Sequence, residues 1–210
     1  MADTTRGDDS TVDASETGPR LRLDDVALPD TVGEQLARAY GTDEAVETGA
    51  AWVETMNDAL ADEVGRPPTA DDLCTSPGGD HTFVGDGEEQ SYICVLDPLI
   101  YPFLTDTPGR VRSETPVRGE TVEVEIGETT ATASHDDAVV SLGAAATGDP
   151  SDPVTFERVY QQVCGYVHVF ADREEYDEWT DEVDAATTAV PVADGIAVAR
   201  ELTTALFGEK

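Results

Sequence analysis

The stretch Ser91-Tyr92-Ile93-Cys94-Val95-Leu96-Asp97-Pro98-Leu99-Ile100-Tyr101-Pro102-Phe103-Leu104 is the most apolar run of the chain. It reads as the end of a strand running into a short helix, with Pro102 near the helix end. With the helix starting near Cys94, the i, i+3 spacing puts Cys94 and Asp97 on one face. Downstream the period changes from helical to alternating. Val111 to Pro116, Thr121 to Ile126 and Thr130 to Leu142 alternate polar and apolar residues, broken at Arg118-Gly119 and Gly127. That pattern predicts an antiparallel meander. Gly143 to Pro153 reads as a loop and Tyr166 to Phe170 as a buried strand. Asp172 opens a helix carrying Tyr176 and Trp179 on one side. Thr187 to Val192 is extended, and Ala193 to Phe207 forms a last amphipathic helix.

Upstream, Asp30 to Tyr40 has apolar positions at Val32, Leu36 and Ala39 and is stopped by Gly41. Thr42 is expected to cap a second helix, with Asp43 and Glu44 in its first turn. That helix runs through Trp52, Val53, Met56 and Leu60 until Gly65-Arg66-Pro67-Pro68 ends it. Thr75 to Gln90 reads as a Gly- and Asp-rich loop. The expected class is α+β: a mixed, mainly antiparallel sheet with flanking helices and a small helical N-terminal region. The expected division is a disordered acidic tail over 1–24, the helical region over 25–90, and the main α+β domain over 91–210.

Composition bounds the function classes. Asp and Glu number 45 against 12 Lys and Arg, a formal net charge of -33. Lys210 is the single lysine. Such repulsion is costly in dilute buffer but is screened at molar salt, where the Debye length is roughly 3 Å. The expectation is a halophile's salty cytosol. Between Asp24 and Asp80 the only basic residues are Arg38 and Arg66, which argues against nucleic acid as a partner. No apolar run is long enough to span a bilayer, so no membrane partner is expected. Met1 to Glu16 has neither a basic flank nor an apolar stretch, which points to a cytoplasmic protein.

In that compartment thiols are normally reduced, and three cysteines suit ligation or reactivity better than a disulfide framework. A cysteine at a helix N-terminus is expected to have a lowered pKa, and Asp97 one turn on can hold or deliver a proton. The competing reading is an inert core cysteine, with Asp97 a turn or cap residue. Cys164 precedes the predicted strand and Gly165 lets backbone pass close to a ligand, although core packing explains Cys164 equally well. His168 reads as a structural histidine. Cys74 has no patterned partner and reads as incidental, and His81 and His135 as solvated loop or strand residues. No phosphate loop, dinucleotide glycine pattern or CxxC pair is present.

The segment from Tyr92 to Pro102 resembles the core motif of the organomercurial (alkylmercury) lyases, the MerB family, in which an aromatic-flanked Cys-x-x-Asp precedes a hydrophobic run. The resemblance continues through Arg110-Val111, Ser113, Thr115-Pro116 and Gly119-Glu120, and through Ala138 to Leu142. Cys164 with Val167-His168-Val169-Phe170-Ala171 is similar to the segment holding the family's second cysteine. Trp179 and Val190-Pro191-Val192 fit as well. The resemblance implies that the 91–210 segment is a MerB-like catalytic domain cleaving a carbon–mercury bond by protonolysis. Cys94 and Cys164 would ligate mercury, Asp97 would join transiently and carry the proton, and no organic cofactor would be required. The implied partners are a small organomercurial, and low-molecular-weight thiols or a mercuric reductase as acceptors of Hg(II). A non-catalytic protein that binds or transfers Hg(II) or Cu(I) needs the thiols but not Asp97, whose presence favours the enzyme. A DNA-binding regulator finds too few basic residues.

Overall fold

A computed structural model describes residues 23–64, 69–127, 131–146 and 153–208. The predicted tail over 1–24 lies almost wholly outside them. Among the described residues there are six α-helices and two antiparallel sheets, so the class is α+β. The helices are α1 (Asp30–Ala39), α2 (Gly49–Val64), α3 (Leu96–Thr105), α4 (Phe156–Gln162), α5 (Arg173–Thr180) and α6 (Val192–Phe207). The strands are β1 (His81–Gly85), β2 (Glu88–Tyr92), β3 (Gly109–Glu114), β4 (Thr121–Ile126), β5 (Ala131–Ala133), β6 (Val139–Ala145), β7 (Val169–Phe170) and β8 (Ala185–Pro191). One sheet has the order β2-β1-β3-β4-β5 and the other β7-β6-β8, every pairing antiparallel.

Several expectations need correction. The stretch read as a loop from Thr75 to Gln90 contains the β1–β2 hairpin, so the 25–90 region is not helical throughout. Asp86 (φ 47) and Gly87 (φ 82) turn it, the two positive φ values that a tight primed turn requires. The second helix starts at Gly49 rather than Thr42, and Thr48 Oγ1 accepts from the Ala51 amide to cap it. The predicted strand from Thr130 to Leu142 is two strands in different sheets, β5 and β6, because the chain turns between Ser134 and Ala138. The predicted strand from Tyr166 to Phe170 is strand only at its end. Cys164–Tyr166 is a 3-10 turn, closed by the Val167 amide on the Cys164 carbonyl at 3.3 Å.

One main hydrophobic core runs from Leu23 to Leu202 and includes Leu36, Trp52, Phe83, Leu99, Val111 and Leu142. Every residue of β6 is buried, because α1 covers it on one side and α5 reaches it from the other. Helix α6 packs on α3 and α2, holding α3 against β1. Proline is tolerated in α3: Pro98 lies in the first turn, where amides have no intrahelical acceptor. A second cluster of Val139, Phe170, Tyr176 and Trp179 closes the outer side of the small sheet.

Glu175, fully buried, joins the two sheets. Its carboxylate accepts from the Arg118 amide in the β3–β4 turn at 2.8 Å and from the Ala171 amide at 3.0 Å. Its own amide donates to the cap residue Asp172. Glu175→Ala leaves a buried amide without an acceptor and is expected to cost about 1–3 kcal/mol in denaturant unfolding at molar KCl. A loss no larger than that of Glu157→Ala, on the exposed face of α4, would contradict the tethering role.

Candidate functional site

Three chain segments converge below α2. Cys94 lies between β2 and α3, where the Ile93 amide donates to the Cys74 carbonyl at 3.3 Å and the Val95 amide to the Val167 carbonyl at 3.2 Å. These two bonds bind the Cys94 turn to the Cys74 loop on one side and to the Cys164 turn on the other. Cys164 follows α4, and its turn is held from below by β6. The hydroxyl of buried Ser141 donates to the Tyr166 carbonyl at 2.8 Å and accepts from the His168 amide at 2.9 Å. Asp97 sits in the first turn of α3, 9% exposed.

The structure brings the three predicted residues Cys94, Asp97 and Cys164 together and adds Cys74. The Cys94 thiol donates to Asp97 Oδ2 at 3.6 Å, and the same oxygen accepts the Cys74 amide at 3.2 Å. The Cys164 thiol interacts with the thiols of both Cys74 and Cys94. All three cysteines are free. The reading of Cys74 as incidental is therefore corrected. Its sequence neighbourhood held no signal, because its partners lie about twenty or more residues away in the chain.

Nothing in the local sequence marks Tyr40 and Trp52 as site residues either. Trp52 Nε1 donates to Tyr40 Oη at 3.2 Å, and both side chains close a cavity of about 90 Å³ shared by Cys74, Cys94, Asp97 and Cys164. The remaining lining is apolar, including Met56, Leu60, Ile100 and Leu202. A larger concavity of about 780 Å³ between α3 and α6 holds none of the thiols. The smaller one carries the argument because the reactive groups face it.

Burial sets the protonation states. Loss of water pushes the Asp97 carboxyl up to about 6, against the opposing pull of the Cys74 amide and the Cys94 thiol. The contact with Cys164 draws the Cys94 thiol down, but burial and the charge of Asp97 outweigh it and the thiol ends above its ordinary value. The expected lowering at a helix N-terminus is thus corrected. Contact with Cys74 and Cys94, followed by burial, holds Cys164 well above the ordinary thiol range. Cys94 and Cys164 are thus both held towards the thiol form, beside an acid raised to about 6.

His81 is the other correction. It is fully buried rather than solvated, because β1 is paired on both sides and aims it inward. Its Nε2 lies 3.4 Å from His168 Nδ1, and His168 Nε2 lies 2.9 Å from the Gly165 carbonyl. That carbonyl only accepts, so His168 donates from Nε2 and His81 donates from its own Nε2. Burial, then His168, brings His81 down to about 3, which keeps it neutral. His168 stands edge-on to Trp179, as a structural histidine does. His135 is partly exposed beside Ser134. Among the described residues no group of three or more His, Cys, Asp or Glu side chains is arranged as a ready metal cage, and no helix is long and apolar enough to cross a membrane.

Free thiols converging on a buried carboxyl in an apolar cavity are the donor types that a soft, thiophilic metal species prefers. The comparisons give that class its family. The chain belongs to the alkylmercury lyase family, MerB, whose family model matches residues 76–204. It is 32% identical over 190 residues to an alkylmercury lyase of Streptomyces lividans, covering 90% of this chain and 82% of that protein. A crystal structure of the mercury-bound form of MerB2 aligns over 85% of this chain and 93% of its own, with 13% identity and a TM-score of 0.48.

The raised Asp97 pKa has a consequence for stability. Between about pH 4 and 6 the unfolded chain loses the Asp97 proton while the folded chain keeps it, so stability falls as pH rises through that window. Asp97→Asn retains the acceptor for the Cys74 amide and removes the ionisation. The variant is expected to be more stable than the parent above pH 6, by roughly 1–3 kcal/mol, with the difference vanishing below pH 4. Unfolding curves at pH 3.5 and 7.5 in molar KCl measure it.

Proposed function

We propose that this chain is a working organomercurial lyase that cleaves R–Hg bonds by protonolysis to hydrocarbon and Hg(II), as a mercury detoxification enzyme. The observation carrying this reading is the 3.6 Å contact between Cys94 Sγ and Asp97 Oδ2 inside the cavity shared with Cys164. A pure sequestering protein has no use for a buried carboxyl with a pKa near neutrality, whereas a proton carrier needs one.

The reaction then runs on the chain's own groups. R–Hg arrives bound to an external thiol. Cys94 forms a sulfur–mercury bond, its proton leaving with the displaced thiol. Cys164 adds as the second sulfur ligand and gives its proton to the Asp97 carboxylate. Two sulfur donors push electron density onto mercury and weaken its bond to carbon. Asp97 delivers the proton to that carbon, the carbon–mercury electron pair becomes the new C–H bond, and hydrocarbon leaves. Mercury remains as Hg(II) on two thiolates. The apolar lining accepts a small R group and excludes water, which strengthens the pairing of developing charges. No organic cofactor enters this scheme. External thiols, or a mercuric reductase, take the Hg(II). We place the work in a salty cytoplasm, where the charge of -33 is screened.

The test is hydrocarbon release from phenylmercury or methylmercury with excess thiol at molar KCl. Asp97→Ala is expected to lower the rate by about 100-fold or more, the size of a lost general acid. Cys94→Ser is expected to reduce release to background. Tight mercury uptake without benzene or methane would replace the lyase reading with sequestration.

A further inference from the structure

Cys74 lies two residues before the segment matched by the family model, yet it contacts Asp97 and the Cys164 thiol and is hydrogen-bonded to the turn that carries Cys94. Its amide donates to Asp97 Oδ2 and its carbonyl accepts from the Ile93 amide, so the loop is fixed to the Cys94 turn at both ends of one residue. The bridge between Thr75 and Tyr92 and the bond from the Ser76 amide to the Ser91 carbonyl extend that attachment. The three thiols form a series, Cys94, Cys164 and Cys74. Cys94 is sealed at 4% exposure, Cys164 interacts with both others, and Cys164 and Cys74 are both half-buried, Cys74 on a loop whose neighbours Asp71, Thr75 and Pro77 are exposed. Asp97 borders both ends of the series, through the Cys94 thiol and through the amide and thiol of Cys74.

In a metal held between Cys94 and Cys164, the bond to the sealed Cys94 sulfur is the one that solvent thiols do not reach, whereas Cys164 and Cys74 are both half-buried. Thiol exchange at a soft metal proceeds by addition of the incoming sulfur before the outgoing one leaves, which needs a third sulfur beside the first two. We infer that Cys74 is the exit ligand: it displaces Cys94 from Hg(II) and carries the ion, shared with Cys164, to the surface. The inference rests on the lyase reading only for where the Hg(II) originates.

The step balances within the chain. The Cys74 sulfur forms a bond to mercury as the bond to the Cys94 sulfur breaks, and mercury stays Hg(II) throughout. The proton of the Cys74 thiol goes to the Asp97 carboxylate, which has just given its own proton to carbon. Asp97 then returns that proton to the departing Cys94 sulfur, restoring the thiol for the next substrate. Two external thiols finally replace Cys164 and Cys74 on the metal, and their protons pass to the two protein sulfurs.

The experiment has two arms, each run on the full chain at molar KCl with Cys74→Ser and Cys74→Ala beside the parent. In the first, protein loaded with one equivalent of mercuric chloride and freed of excess is mixed with a limiting small dithiol, and Hg(II) transfer is timed. Both variants are expected to take up the ion and to release it about tenfold more slowly. Release at the parental rate overturns the exit role. Failure to take up the ion in variants with parental circular dichroism also overturns it, making Cys74 an obligate ligand. In the second arm, phenylmercury is supplied with limiting thiol. The ratio of first-turnover to later-turnover rates is expected to rise about tenfold in the variants. A ratio equal to the parent's overturns the inference. If the parent releases no benzene, the lyase reading fails, and the mercuric chloride arm still decides the role of Cys74.

Discussion

The burial of one carboxyl group governs the site. Asp97 lies at the start of α3, where unpaired amides favour an anion, but the surrounding Leu96, Leu99, Ile100 and Leu202 remove the water that an anion needs. The conflict is settled near neutrality rather than at either extreme. It depends on the whole framework: α6 holds α3 down, the β1–β2 hairpin fixes the residues before Cys94, and β6 holds the turn after Cys164. Loosening any of these lets water reach the carboxyl and returns it to an ordinary acid.

Much of this was legible in the sequence. The run from Ser91 to Leu104 declares α3 and the pairing of Cys94 with Asp97, because apolar side chains there leave the chain no exposed alternative. The alternation across β3 and β4 declares the meander, since each strand buries one face only. The β1–β2 hairpin was harder to see. Asp86-Gly87 is a strong turn signal, but β2 is Glu88-Glu89-Gln90-Ser91-Tyr92 on a sheet edge, with only its last residue buried and no apolar alternation to mark it as a strand. Thr42, Asp43 and Glu44 carry the pattern of a helix start, yet the residue that caps α2 is Thr48.

The site divides the same way. Cys94 and Asp97 are close in sequence, so their pairing follows from helical spacing. The approach of Cys164 and Cys74 follows from long-range backbone bonds, Val95 to Val167 and Ile93 to Cys74, that no local pattern announces. The expected lowering of the Cys94 pKa failed for a related reason. A helix terminus can be read from sequence, whereas the degree of burial that overrides it cannot.

The pair of Tyr40 and Trp52 has an evolutionary consequence. Both lie upstream of residues 76–204, and so does Cys74, whereas Cys94, Asp97 and Cys164 lie within them. Part of the cavity wall is thus encoded upstream of Cys94, Asp97 and Cys164, while Ile100 and Leu202 complete it from within the matched segment. Changes at Tyr40 and in α2 can resize that part of the cavity while leaving Cys94, Asp97 and Cys164 where they stand. A lineage exposed to new organomercurials has, in this arrangement, a part it can vary and a part it can keep.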